Sequence, residues 1–346
     1  MMELPGGYRI REYQAGDQPG VLALLRSTFR SWGRLERPDE HFEWKHSNNP
    51  FGKSFKVVTE HEGAIVGFRA SMPWEFWCNR RLMSAVRGAD AAVATEHRRN
   101  GLWEAMMRFT FDRVDPPPDV AVHYGHAHTR AGSLKAGFSI IAPITKCIVP
   151  VRPVRLIRRR LSSGAIPCSQ EIRRRLATRA VAARDFLSSP PVVAAVEALN
   201  VKQRNAGLVS TARGIDYLRW HYADMPGREY WAIPVTVRGG IRAVGMVRIQ
   251  DHDGSLELEL SEMMHRPGDS HVRWSLVTAA ASLAPDYVTY LEFQARGGHR
   301  VTKKLGNVSR LGWGNVLLAK RLDAAGPIRV EPQRWSISLG DLDPSF

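Results

Sequence analysis

The chain has 346 residues, of which 44% are hydrophobic and 24% are charged, and this length is sufficient for two hydrophobic cores of ordinary size. No apolar run approaches the roughly 18 residues needed to cross a bilayer, and the three cysteines are too widely spaced to predict a disulfide framework or a zinc cluster. The formal net charge of +15 favours a polyanionic ligand or partner, because net charge bears on association and not on fold.

The chain begins without the basic start and apolar stretch of a secretory signal, so a cytoplasmic location is predicted. The first elements form a β-α unit. YRIRE alternates as a short strand, and a helix is predicted after the Gly/Asp turn. The apolar residues on one face of this helix are Val21, Leu22, Leu25 and Phe29.

Three strands and a helix follow this unit. FKVVTEHEGAIVGFRASM predicts two strands around a turn at residues 61–63, and LMSAVRGADAAVAT predicts a third that contains a glycine, so the three form an antiparallel meander. The next helix starts near Gly101 and ends before the Asp-Pro-Pro-Pro run at residues 115–118, which cannot continue it. DVAVHYGHA then predicts a strand, and TRAGSLKAGF predicts a short helix that Gly137 closes.

An arginine-rich segment separates the two halves of the chain. Residues 149–185 contain ten arginines, whereas their acidic residues are Glu171 and Asp185 alone. We predict a linker or helical bridge over residues 151–204. A solvated basic face between domains is the favoured interpretation, and docking to nucleic acid or to an acidic membrane surface is the alternative.

The sequence after this segment repeats landmarks of the first half. Trp44 matches Trp220. Pro50 matches Pro226 at the same offset, and each copy continues through a strand and a glycine turn into a Val-Gly pair. Similarity at a fixed period indicates a duplicated structural unit, and the alternative is chance similarity, since these residue types occur in many loops. Duplication predicts two related domains, one on each side of the arginine-rich segment.

A basic, glycine-containing turn precedes the helix that starts near Gly101. In ATEHRRNGLWEAMMRF, residues 94–109, a strand is followed by a helix whose first amides have no acceptor within the helix. These N–H groups and the positive end of the helix dipole favour an anion, and Gly101 lets an oxygen approach the backbone. Arg98 and Arg99 add positive charge. The turn is therefore predicted to bind a pyrophosphate.

The spacing of this turn resembles the signature of the acyl-CoA-dependent N-acyltransferases of the GNAT superfamily: Arg or Gln, two residues, Gly, one residue, then Gly or Ala. Arg98, Gly101 and Trp103 occupy those places. Arg99 stands where the superfamily often has glycine, and the bulky Trp103 replaces its small final residue. The resemblance covers about residues 7–150 and includes the order of the predicted elements.

The resemblance implies an α+β fold with two GNAT-like domains, each a mixed, mostly antiparallel sheet flanked by helices. It implies an acyl-CoA site in the N-terminal domain, residues 1–150. Residues 205–346 are then a degenerate copy, because MMHRPGDSHVRW lacks the signature and its Asp269 is better explained as a helix cap. The implied co-substrate is acetyl-CoA or another acyl-CoA, without a metal. The implied cofactor contacts are Val93, Ala94, Thr95, Arg98, Arg99, Asn100, Gly101, Leu102 and Trp103.

Transfer of an acyl group to an amine requires a proton acceptor, an oxyanion donor and a proton for the leaving sulfur. Members of the superfamily use a backbone N–H for the oxyanion, here near Val93 or Ala94. Asp90 is the first candidate for the base and Glu75 the second, and a hydrogen-bonding role in the strand is the alternative for Asp90. The candidates for the acid are Tyr124, His126 and Ser133, the last at the place where many members have a tyrosine.

The leading functional hypothesis is an N-acyltransferase that moves an acyl group, acetyl by default, from acyl-CoA directly to the primary amine of a small molecule or peptide. Aminoacyl-tRNA-dependent transferases also resemble tandem copies of this fold, and a basic linker suits tRNA, but a CoA pyrophosphate site has no obvious use there. A non-catalytic CoA-binding or ligand-binding protein would account for the missing tyrosine and for Trp103. Nucleic acid is thus a less favoured partner than an amine.

Overall fold

The structure, a computed structural model, describes residues 1–125, 127–155, 169–252, 255–291, 309–322 and 335–342. The elements of the first half are, in chain order, β1 (Met2–Leu4), β2 (Tyr8–Glu12), α1 (Gln18–Thr28), α2 (Arg30–Gly33), α3 (Pro38–His46), β3 (Phe55–His61), β4 (Ala64–Cys78), β5 (Arg81–Val93), α4 (Leu102–Phe111), β6 (Val120–Gly125), α5 (Ala127–Lys135) and β7 (Ser139–Pro150). The β-α opening, the antiparallel meander, the helix after Gly101 and the strand and helix that follow it are confirmed.

The second half begins within the arginine-rich segment, of which residues 156–168 lie outside the described ranges. Its elements are α6 (Ser169–Arg179), β8 (Val181–Ala182), α7 (Ala183–Ser188), α8 (Pro190–Arg204), β9 (Val209–Thr211), α9 (Ile215–Leu218), β10 (Trp231–Val237), β11 (Gly240–His252), β12 (Ser255–His265), α10 (Ser270–Ser282), β13 (Tyr287–Leu291), β14 (Ser309–Arg321) and β15 (Trp335–Ser336). Asp269 caps α10 as predicted, because its Oδ1 accepts a hydrogen bond from the Val272 N–H at 3.1 Å. None of the described helices is both long and apolar enough to cross a bilayer.

The strands form a continuous mixed sheet in the order β1-β2-β3-β4-β5-β6-β14-β7-β13-β12-β11-β10-β8. Most neighbours are antiparallel, as predicted, and each half contributes one parallel pair to this path, β5–β6 and β12–β13. β14 lies between β6 and β7, and the other edge of β7 pairs with β13. Each half therefore places a long strand within the part of the sheet that the other half builds.

Helices cover both faces of the first-half sheet. Leu25 of α1 packs in a core cluster that contains Val58 of β3 and extends into the second half. Phe109 of α4 packs in a different cluster, with the neighbouring strand residue Val57. Because successive strand residues point to opposite faces, α1 and α4 lie on opposite sides of the sheet.

Candidate active site

A gap opens between two parallel strands near the centre of the sheet. β5 and β6 pair through residues 85–87 and 120–122, and no later pair joins these two strands among the described residues. The residues that follow, including Gly88 of β5 and His123 of β6, line a cavity instead. Backbone groups of β5 that face the gap lack a strand partner there, so they are available to a ligand.

A β-bulge lies at the same point of β5. The β4–β5 register shifts between Phe68 and Ala70, so that Asp90 and Ala91 of β5 oppose the single residue Arg69 of β4. Asp90 has a φ of 49°, in the left-handed region that residues other than glycine seldom adopt. A bulge bends its strand and changes the direction of its side chains, and here it does so at the mouth of the gap.

The Asp90 carboxylate is buried and fully engaged. Its Oδ1 accepts a hydrogen bond from Trp32 Nε1 at 3.0 Å, and its Oδ2 lies 2.8 Å from Lys45 Nζ and 3.1 Å from His46 Nε2. Burial acts to raise the pKa of Asp90, but Lys45 and His46 outweigh it and hold that pKa well below its ordinary value. A carboxylate of low pKa is a weak proton acceptor. This geometry favours the hydrogen-bonding role at the bulge, and the catalytic role of Asp90 stays a prediction.

A cavity of about 520 Å³ lies along the gap and the bulge, within the range of small-molecule sites. Both halves of the chain line it. Its first-half residues include Trp32, Arg69, Arg87, Trp103, His123 and Tyr124. Its second-half residues include Arg248, Glu257, Glu259, Leu339 and Leu342. A ligand in this cavity would therefore contact both halves.

The lining of the cavity comes from both faces of the sheet. On the α4 face, Arg69 Cζ lies 5.5 Å from the centroid of the Trp103 ring, whose neighbour across the gap is His123. On the opposite face, Arg87 Cζ lies 5.2 Å from the centroid of the Tyr124 ring. The alternation of side chains along β6 agrees with this division. The gap therefore connects an α4 side to a second side that faces the other half of the chain.

The turn before α4 presents free backbone N–H groups. It begins with a 3-10 turn, Thr95–His97, and ends at Gly101. Arg99 and Gly101 both have a φ of 69°. Among the described residues, no acceptor receives a hydrogen bond from the N–H groups of residues 99–103. A Cβ placed on Gly101 would meet no atom within 4 Å. The turn therefore has the open space and the donors that an anionic group such as a pyrophosphate requires.

Side chains at this turn brace the backbone. Asn100 Nδ2 donates to Tyr8 Oη at 3.0 Å and to the His97 carbonyl at 3.2 Å. Arg98 Nε donates to the Val93 carbonyl at 3.2 Å. These bonds fix the direction of the main chain, so that its N–H groups are oriented before a ligand arrives.

The Trp103 ring packs away from Gly101. Its Cζ3 atom lies 2.9 Å from the position that a Cβ on Gly132 of α5 would occupy, and the ring belongs to the apolar cluster of Val86 and Met107. Leu102 is buried, so its backbone faces the turn while its side chain faces the core. The bulky Trp103 thus lines the cavity and leaves the turn at Gly101 open.

The backbone N–H of Ala94, one of the two predicted near the oxyanion, is already hydrogen-bonded. The Ala94 N–H donates to the Val66 carbonyl at 2.9 Å, because the main chain continues the β4–β5 pairing up to this residue. It is therefore not a free oxyanion donor. Backbone N–H groups within the bulge and gap, near Gly88 to Ala91, are closer to the cavity.

The predicted acid and base residues are scattered. Tyr124 lines the cavity, and its buried hydroxyl has no hydrogen-bond partner among the described residues. Ser133 of α5 is buried, donates to the Thr129 carbonyl at 3.0 Å and does not line the cavity. Glu75 of β4 does not line it either, and burial raises its pKa. His126 lies outside the described residues.

Charged residues inside the strands are the functional candidates that sequence analysis missed. Lys146 of β7 pairs with Glu257 of β12 at 2.7 Å. Arg248 of β11 makes two hydrogen bonds to Glu259, of 2.9 and 3.0 Å. The available signal is a charged residue within an otherwise apolar strand, such as the arginine in SAVRGAD, since buried charges usually have a specific role.

A family model matches the stretch of chain that forms the gap, the bulge and the open turn. Residues 9–140 match a family model described as an acetyltransferase (GNAT) domain. This match covers the part of the chain that contains the bulge, the gap and the open turn. No curated protein matches the chain.

Solved structures share the GNAT fold over most of the chain. A GCN5-related N-acetyltransferase from Anabaena variabilis is 12% identical, with a TM-score of 0.66 over 94% of this chain and 75% of that one. A GCN5-related N-acetyltransferase from Kribbella flavida is 14% identical, with a TM-score of 0.59 over 94% and 73%. A probable N-acyltransferase from Enterococcus faecalis is 10% identical, with a TM-score of 0.62 over 91% and 73%. These likenesses concern the fold.

The GNAT domain supports acyl transfer as the general chemistry of this protein. Trp103, two residues after Gly101, lines the cavity. Among the described residues, no group of three or more His, Cys, Asp or Glu side chains is placed to hold a metal ion.

Proposed function

We propose that this protein is an acyl-CoA-dependent N-acyltransferase that transfers an acyl group, acetyl by default, directly to a primary amine. The observation that carries this proposal is the open turn at Gly101, whose unpaired N–H groups precede α4 beside a gap that leads into the cavity. Pyrophosphate on these amides would place the remainder of CoA on the α4 face. Arg98, Arg99 and Asn100 would add charge and fix the turn.

The acyl carbonyl would then enter the gap, where unpartnered backbone N–H groups of β5 can stabilise the oxyanion. A lysine-like acceptor must lose a proton first, at a cost of about 4.6 kcal/mol near pH 7. We assign the proton for the leaving sulfur to Tyr124. Burial raises the pKa of its hydroxyl well above the ordinary value, so the group stays protonated and can donate.

We also propose a division into an N-terminal domain of residues 1–150, a helical bridge of residues 151–204 and a C-terminal domain of residues 205–346. In its favour, each terminal domain has one parallel pair, β5–β6 or β12–β13, next to antiparallel strands. The C-terminal domain would supply one wall of the acceptor cavity, because Arg248, Glu257 and Glu259 lie there.

A turnover assay tests the proposal. The purified protein is incubated with acetyl-CoA and a mixture of primary amines, free thiol is measured, and products are identified by mass spectrometry. We expect thiol release that requires an amine, together with an N-acetylated product. Thermal stabilisation by CoA without turnover would favour the non-catalytic alternative, and salt-dependent retention of tRNA without acetyl transfer would favour the aminoacyl-tRNA alternative.

A further inference from the structure

Among the described residues, the charges around the cavity do not balance. Three acidic side chains line it, and each already has a cation: Asp90 has Lys45 at 2.8 Å, Glu257 has Lys146 at 2.7 Å, and Glu259 has Arg248 at 2.9 Å. These pairs account for the carboxylates of the lining.

Two arginines of the cavity lining take no part in these pairs. The side chains of Arg69 and Arg87 line the cavity, are 3% and 1% exposed, and their Nε and Nη1 atoms have no hydrogen-bond partner among the described residues. Burial lowers the pKa of Arg69 to about 10, so its guanidinium still carries a charge at neutral pH. A buried charge without a partner is costly. An anionic ligand would remove this cost at both positions.

Arg87 lies on the side of the gap that faces the second half. Its Cζ is 4.5 Å from the Trp74 ring centroid and 5.2 Å from that of Tyr124, so aromatic rings hold the guanidinium while its donors stay unused. Its planar set of donors matches a carboxylate in two parallel hydrogen bonds. Besides its charged residues, the lining includes the apolar side chains of Phe29, Trp32, Leu339 and Leu342.

We infer that the acceptor is an amine that also carries a carboxylate and an apolar side chain, such as an apolar amino acid, and that Arg87 binds its carboxylate. This inference rests on the proposed function. In the reaction, the acceptor nitrogen loses a proton and forms a bond to the acyl carbon, the bond between that carbon and sulfur breaks, and CoA leaves as the thiol after gaining a proton. The acceptor carboxylate keeps its charge throughout.

The position of Arg87 favours the acceptor over the donor as the carrier of the carboxylate. A carboxylate could also arrive on the acyl group of the donor, as in succinyl-CoA. That group would enter from the α4 side, where Arg69 is the unpartnered arginine, next to Trp103. Arg87 is on the other side, with Tyr124. The carboxylate bound by Arg87 is therefore assigned to the acceptor.

Product binding tests the inference without requiring turnover. Calorimetry compares N-acetylphenylalanine, N-acetylleucine and N-acetyltryptophan with N-acetylphenethylamine, N-acetylisopentylamine and N-acetyltryptamine, which lack only the carboxylate. At least one acid should bind about 10- to 100-fold more tightly than its neutral partner, as one charged hydrogen-bonded pair warrants. Arg87→Met should abolish this preference, and Arg87→Lys should retain part of it.

Arg204→Met is the matched control, because Arg204 Cζ also lies over an indole, 5.0 Å from the Trp77 ring centroid, but does not line the cavity. It should keep the full preference. Equal or undetectable binding within every pair, or an unchanged preference in Arg87→Met, would overturn the inference. If Arg87→Met does not fold, the wild-type pairs and Arg87→Lys still decide.

Two further results distinguish a failure of this inference from a failure of the proposed function. Acetyl transfer to amines with no preference for a carboxylate would overturn the inference and leave the proposed function intact. Selective binding of the N-acetyl acids by a protein without acyl transfer would support the carboxylate site at Arg87 and overturn the proposed function. Turnover with succinyl-CoA that exceeds turnover with acetyl-CoA and depends on Arg87 would place the carboxylate on the donor and contradict the assignment.

Discussion

Trp44 and Trp220 hold each other through reciprocal hydrogen bonds. Their rings stack with centroids 4.8 Å apart and planes inclined by 15°. The indole N–H of Trp44 donates to the Trp220 carbonyl at 2.7 Å, and that of Trp220 donates to the Trp44 carbonyl at 2.9 Å. Equivalent residues of two copies related by a local twofold axis would make such a contact. The pair joins α3 to the segment after α9, and so it joins the two halves.

Trp44→Phe should destabilise the protein strongly. The change removes one buried hydrogen bond, leaves the Trp220 carbonyl without its donor and shrinks a stacked ring, which together should lower the free energy of unfolding by about 2–4 kcal/mol. Urea denaturation measures this value. Trp77→Phe is the control, because the half-buried Trp77 donates to Asn200 at 3.1 Å and its loss should cost about 1 kcal/mol. Equal losses in the two variants would contradict a special role for the reciprocal pair.

Local patterns made the site partly predictable. The strand, the open turn at Gly101 and the helix that follows depend on residues close together in sequence, and these elements are confirmed. The cap at Asp269 was predictable for the same reason.

Other features depend on distant residues. The sequence contains no signal that β14 inserts between β6 and β7, since strand order is set by tertiary packing. Asp90 looked like a free carboxylate, but Lys45 and His46 reach it from α3. In the sequence, Arg69 and Arg87 are charged residues within strands. The folded chain shows that both are buried and that their Nε and Nη1 atoms have no hydrogen-bond partner among the described residues. These two arginines matter because the carboxylates that line the cavity are paired with other cations.

Tyr124→Phe should slow acyl transfer without weakening donor binding. The variant keeps the ring that packs on Arg87 but loses the hydroxyl, so the leaving sulfur would have to take its proton from water. We expect kcat to fall by about 100-fold or more while the Kd for CoA stays the same. Steady-state kinetics and calorimetry measure the two quantities.

Tyr13→Phe is the control for this change. The Tyr13 hydroxyl donates to Gln18 and lies outside the cavity, so its loss should leave kcat unchanged. A Tyr124→Phe enzyme with wild-type kcat would remove Tyr124 from the role of acid.

Stability should fall as pH drops below about 6.5, in part because of His221. This side chain is 1% exposed, its Nδ1 has no partner among the described residues, and burial, together with nearby arginines including Arg87, lowers its pKa to about 3. Between that value and the ordinary pKa of about 6.5, the unfolded chain binds a proton that the folded chain does not. Lowering the pH from 7 to 5 should therefore cost about 2 kcal/mol from this residue alone.

His221→Gln isolates this contribution. Urea denaturation of both proteins at pH 7 and pH 5 gives two differences in unfolding free energy, and the effects of all other titrating groups are common to both. The variant should lose about 2 kcal/mol less than the wild type over this interval. Identical losses would show that His221 does not titrate differently in the folded and unfolded chains.

Binding of CoA to Gly101→Val tests the central claim most directly. The valine would be strained at a φ of 69° and would fill the open space that the pyrophosphate needs. Gly239→Val in the β10–β11 turn is the matched control, with a φ of 77° and equally open surroundings, so it carries the same strain outside the site. Calorimetry should detect CoA binding to the wild type and to Gly239→Val, with Gly101→Val weakened by about 100-fold or more. Equal affinity of all three folded proteins for CoA would contradict the account.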